Sequence, residues 1–126
     1  MKHRYSRKHF PPAPVLEVRF ITAAEGLGTE PLTAIVDTGA DITLVPLSHL
    51  NQIAAPVTVE RWIRSPWGER QRVLLYLVDV LVNNITLPGV EVVGDERVRE
   101  VILGRDVLNR LRMLLDGPAG EIEVLL

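Results

Sequence analysis

The stretch Ala34-Ile35-Val36-Asp37-Thr38-Gly39-Ala40-Asp41-Ile42-Thr43-Leu44-Val45 sets an apolar strand, one carboxylate, a Thr-Gly turn and a second apolar strand in immediate succession. Ala34 to Val36 delivers Asp37 onto the turn, and Ile42 to Val45 leads straight away from it. The pattern predicts an acid at the mouth of a β-core. Thr38 offers a hydroxyl to lock the loop. Gly39, lacking a Cβ, lets backbone N–H groups approach the carboxylate. No second Asp-Thr-Gly or Asp-Ser-Gly occurs in the chain. A chemistry that needs two such carboxylates must take the second from another copy.

The 126 residues fit one domain. A chain of this size buries roughly two-thirds of its unfolded surface, enough for one core. Hydrophobic residues make up 47% and aromatic ones 5%, so the core is aliphatic. A net charge of −2 argues against a dedicated nucleic-acid binder. The absence of cysteine removes disulfides, thiolate chemistry and Cys-ligated zinc together. No apolar run reaches the length of a membrane helix, and the basic first residues lack the apolar stretch of a signal peptide. These features predict a soluble cytoplasmic protein with no membrane partner. His3, His9 and His49 have no ligand-like company, so no metal is expected.

Residues 1–14 read as a basic, Pro-rich tail, extended and partly mobile, with Lys2, Arg4, Arg7 and Lys8 ahead of Pro11-Pro12-Ala13-Pro14. The folded domain is expected over 15–126. Leu16, Val18 and Phe20 alternate with Glu17 and Arg19, the mark of a half-buried strand. Gly26 and Gly28 turn this strand back into Leu32–Asp37. Pro46 to Gln52 reads as a helical turn. Glu60 to Val82 reads as a long hairpin turning at Ser65-Pro66-Trp67-Gly68. Its return arm, Val73 to Val82, is apolar enough to require cover on both faces. Turns at Asn83-Asn84, Pro88-Gly89 and Asp95-Glu96 separate three further strands. Val107, Leu108 and Leu111 mark one short helix, and a closing hairpin spans Arg112 to Leu126. Short strands at even spacing predict an all-β closed barrel or sandwich with one short C-terminal helix.

A faint repeat lays Val36-Asp37-Thr38-Gly39-Ala40-Asp41-Ile42 on Ile102-Leu103-Gly104-Arg105-Asp106-Val107, matching Gly39 to Gly104 and Asp41 to Asp106. With Ile35 to Asp41 and Val101 to Leu108 in this order and a hairpin between them, the chain resembles the retropepsin-like aspartic proteases, homodimeric peptidases of retroviral type. The resemblance covers about residues 15–126. It implies a catalytic Asp37 from each of two chains and a polypeptide substrate, with no cofactor. It also implies that Thr38 and Gly39 shape the loop and that Gly104 closes the structure behind it. Asp41 and Arg105 would pair within a subunit, and as a buried pair they would be worth several kcal/mol. The hairpin carrying Trp62, Ser65, Pro66, Trp67 and Gly68 would be the flap over the substrate. Its single Gly departs from the Gly-rich family flaps. A domain that keeps this fold for binding rather than hydrolysis is the alternative function. Read alone, Asp37 also fits an ordinary turn acid, Asp41 and Asp106 fit local turn or helix-cap acids, and Arg105 fits a surface cation. The two tryptophans fit core or interface positions as well as a flap.

Overall fold

The computed structural model describes residues 1–64 and 68–125. Strand β2 (Val15–Thr22) carries the predicted alternation, with Leu16, Val18 and Phe20 buried. Its first half pairs antiparallel with β4 (Leu32–Val36), and its second half pairs with β7 (Arg70–Val82). That double pairing closes a barrel. β4 runs parallel to β9 (Val101–Leu103), β9 meets β5 (Leu44–Pro46), and β5 runs parallel to β8 (Ile85–Asp95), which pairs with β7. The six-stranded ring is therefore mixed, and full closure leaves its own strands without free edges. Strand β3 (Leu27–Gly28) hangs on β2, and β6 (Val57–Arg64) hangs on β7 as the outer arm of the long hairpin. The aliphatic core fills the ring with Phe20, Leu16, Val80, Val92, Leu103 and their neighbours.

Four expectations need correction. Among the described residues there are two short α-helices where the sequence predicts one: the helical turn read over Pro46 to Gln52 is a full α-helix, α1 (Leu47–Gln52), beside α2 (Arg105–Leu108). Pro88-Gly89 does not separate two strands. It forms a bulge inside the continuous β8, where the register jumps from Val78↔Val90 to Val80↔Leu87. Gly89 takes a positive φ of 65° there. Its N–H donates to Asp79 Oδ1 at 3.0 Å, which gives the lone acid of the apolar arm a partner. That arm is not covered on both faces, because Leu74 and Leu77 are exposed.

The fourth correction concerns the basic tail. Lys2–Arg4 forms β1 and adds to a three-stranded sheet with β10 (Arg112–Asp116) and β11 (Glu121–Leu125), in the order β1-β11-β10. Lys2 lies opposite Glu123 and Arg4 opposite Glu121, so the cross-strand pairs join opposite charges. His3 lies opposite Ile122, which is fully buried. A bridge between Ser6 and Ala13 closes the loop that follows.

Candidate active site

The site forms where β4 and β9 lie side by side. Ile35 pairs with Ile102 and Val36 with Leu103, so the two repeat-like motifs leave the barrel together. The Asp37 N–H donates to the Leu103 carbonyl at 3.0 Å, which fixes the backbone of the acid to the second motif. The side chain turns back on its own loop, where the Gly39 N–H donates to Asp37 Oδ1 at 2.9 Å. A Cβ on Gly39 would stand 3.2 Å from that same oxygen. The Ala40 N–H donates to the Asp37 carbonyl at 3.2 Å and completes the turn. The result is one solvent-exposed carboxylate on a loop whose backbone is held from both sides.

Gly104 and Arg105 supply the second side. The Arg105 N–H donates to the Ala40 carbonyl at 2.8 Å, and its guanidinium donates to the Thr38 carbonyl at 2.7 Å. The same guanidinium pairs with Asp41. The pair is not buried: the Asp41 side chain is 81% exposed and that of Arg105 is 43% exposed. Its ion-pair contribution is therefore about 0–1 kcal/mol rather than the several expected of a buried pair. Arg105→Ala should lower the melting temperature by only a few degrees. Any activity should fall further than stability, because the Thr38 carbonyl loses its donor. Thermal melts and hydrolysis assays on the same preparation check this.

The buried brace is a different one. Thr43, with no solvent exposure, donates its hydroxyl to Asp106 Oδ1 at 2.7 Å and its N–H to both carboxylate oxygens at 3.1 Å. The Thr43 hydroxyl oxygen in turn accepts the Gly104 N–H at 3.0 Å. Asp106 is thus a clamp between the motifs, and Gly104, not Asp106, holds the N-cap position before α2. The sequence reading missed Thr43 altogether. The repeat that matched Asp41 to Asp106 was the available signal, since Thr43 stands two residues after Asp41.

Gly104 is required by space. A Cβ there would lie 2.7 Å from the Ile42 carbonyl carbon and 2.9 Å from the oxygens of Ala40 and Ile42. All three are backbone atoms and cannot rotate away. Gly104→Ala should cost about 1–3 kcal/mol, the usual range for overpacking, visible as a clear drop in melting temperature.

The long hairpin stands beside this loop. Trp62 is 60% exposed, and Arg70 lies over its ring at 5.4 Å from the centroid. Gly68 takes a positive φ of 85° near the tip. Ser65, Pro66 and Trp67 lie outside the described residues.

The family model described as "gag-polyprotein putative aspartyl protease" matches residues 26–110. The chain belongs to this retropepsin-like aspartyl protease family. The matched span runs from the turn before β4 through both motifs and α2. Solved structures agree on the fold. A retropepsin-like aspartic protease from Rickettsia conorii superposes with a TM-score of 0.64 at 12% identity, over 97% of this chain and 86% of that one. EIAV protease complexed with the inhibitor HBY-793 gives 0.59 at 19% identity, over 86% and 93%. Simian Foamy Virus (mac) protease in solution gives 0.54 at 21% identity, over 75% and 91%. At these identities the likeness carries the retropepsin fold. No curated protein matches the chain.

Proposed function

We propose that this retropepsin-like chain is an aspartic endopeptidase that acts as a homodimer, with Asp37 from each subunit forming the reactive pair. The observation that carries the reading is the exposed Asp37 carboxylate on a doubly braced loop, present once per chain. Two such carboxylates at a two-fold axis share one proton. The ionised member takes a proton from a bound water as that water attacks the peptide carbonyl carbon. The protonated member gives its proton to the carbonyl oxygen. Collapse of the tetrahedral adduct returns a proton to the departing amide nitrogen and breaks the C–N bond. Thr38 is exposed beside Asp37 and stiffens the pair of loops across the dimer in this reading.

The substrate is an extended polypeptide with apolar side chains near the scissile bond. Ile42 and Leu44, partly buried, run out of the Asp37 loop and pack against the buried cluster of Val73, Leu75 and Val93, as Val59 and Ile63 of the hairpin also do, and Leu44 lies opposite Ile102. Digestion of an unfolded protein by purified material at mildly acidic and neutral pH, beside an Asp37→Asn control, tests the reading. Equal digestion by both proteins refutes it.

A further inference from the structure

The hairpin presents two different faces. The cross-strand pairs Val59↔Leu75, Arg61↔Val73 and Ile63↔Gln71 share one face, because side chains directly opposite each other project to the same side. Val73 and Leu75 of that face form a buried cluster with Val93, and Val59 and Ile63 from the hairpin and Ile42 and Leu44 from the strand after the Asp37 loop pack against it. Ile42 and Leu44 leave the Asp37 loop, so this is the face turned toward the candidate site. Arg61 stands between Val59 and Ile63 in the same row. Both neighbours are half-buried, whereas Arg61 is exposed. Among the described residues, no hydrogen bond or ion pair holds its guanidinium. The other arginines of the hairpin occupy the opposite face, where Arg70 covers Trp62 and Arg72 pairs with Glu60. Arg64 shares that face through its pairing with Arg70.

We propose that Arg61 selects peptides carrying an Asp or Glu side chain, an inference that rests on the peptidase reading above. Side chains on one face of an extended strand repeat every two residues, about 6.6 Å apart. An extended peptide under the hairpin has the same repeat. The acidic residue therefore lies two positions from the apolar residue that meets Ile63, outside the pair flanking the scissile bond. Asp41, the other exposed acid of the loop that could oppose this, is already paired with Arg105.

The test uses peptides that scan Glu against Gln through the positions flanking an apolar cleavage site, at near-neutral pH and low salt. Wild-type protein should prefer Glu over Gln by about five- to tenfold in kcat/KM at one position. Arg61→Gln should bring that ratio to about one, and Arg61→Glu should invert it. Arg64→Gln, on the other face, should keep the preference. The same peptides are measured by binding to Asp37→Asn protein, where the ratio is readable without turnover. Absence of turnover by wild type, with the Glu preference intact in binding, would overturn the peptidase reading and keep the Arg61 assignment. Equal treatment of Glu and Gln in both assays, or a preference that survives Arg61→Gln, would overturn the assignment.

Discussion

Asp37→Asn should abolish peptide hydrolysis while leaving the fold and the subunit association in place. The substitution is nearly isosteric, and the amide oxygen can still accept the Gly39 N–H that Asp37 Oδ1 accepts at 2.9 Å. The backbone tie from Asp37 to the Leu103 carbonyl does not depend on the side chain. Stability should therefore change by less than about 1 kcal/mol, the size of one modest hydrogen bond. Activity should fall far more. A positioned acid or base contributes about 10²–10⁴-fold, and in a homodimer the substitution removes both members of the pair. The wild-type pH profile should be bell-shaped. At low pH neither carboxylate is ionised and no group takes the water's proton. At high pH the shared proton is lost, the acid disappears, and the two charges repel. Hydrolysis undiminished in a clean Asp37→Asn preparation would end the assignment, and a flat profile would remove the shared proton from the mechanism.

The parts of the fold that were legible in the sequence rest on local patterns. The alternation from Leu16 to Phe20 and the apolar run ending at Asp37 each follow from a short window, and both form as read. The family resemblance also implied that the second motif closes the structure behind the first, and the parallel pairing of Ile35 with Ile102 brings the two together. What was misread depends on partners far away in the chain. The charges of Lys2 and Arg4 look like a solvated tail until Glu121 and Glu123 are seen opposite them. Asp106 looks like a helix cap until Thr43, sixty-three residues earlier, is found donating to it twice. Pro88-Gly89 reads as a turn, but a bulge uses the same two properties, a missing N–H and a positive φ. The strength of the Asp41–Arg105 pair depends on exposure, which the motif does not encode.

Mixing two inactive charge variants should restore an active dimer, if the subunits meet through β10. This strand is the edge of the terminal sheet, paired on one side with β11 only. Its centre is apolar and uncovered: Leu114 is 53% exposed and Leu115 is 47% exposed. The opposite edge, β1, carries Lys2 and Arg4, the kind of charge that discourages pairing. The β10 sequence Arg112-Met113-Leu114-Leu115-Asp116 is complementary to itself. Antiparallel pairing about a two-fold axis at Leu114 sets each Arg112 opposite the other subunit's copy of Asp116. The same register sets Met113 against Leu115 and Leu114 against its own copy, the isologous contact a symmetric dimer requires. Arg112→Asp would place acid against acid at both ends, and Asp116→Lys would place cation against cation. Each cross-strand pair is worth about 0.2–1 kcal/mol, so converting two attractions into two repulsions weakens the dimer by about 1–4 kcal/mol. That corresponds to about 5- to 1,000-fold in Kd. At protein concentrations near the wild-type Kd, each single variant should sediment as a monomer and lose hydrolysis. In the mixture both pairs become attractive again, so a heterodimer should form and activity should return. Single variants that dimerise like wild type, or a mixture that stays monomeric, would place the subunit contact elsewhere on the molecule.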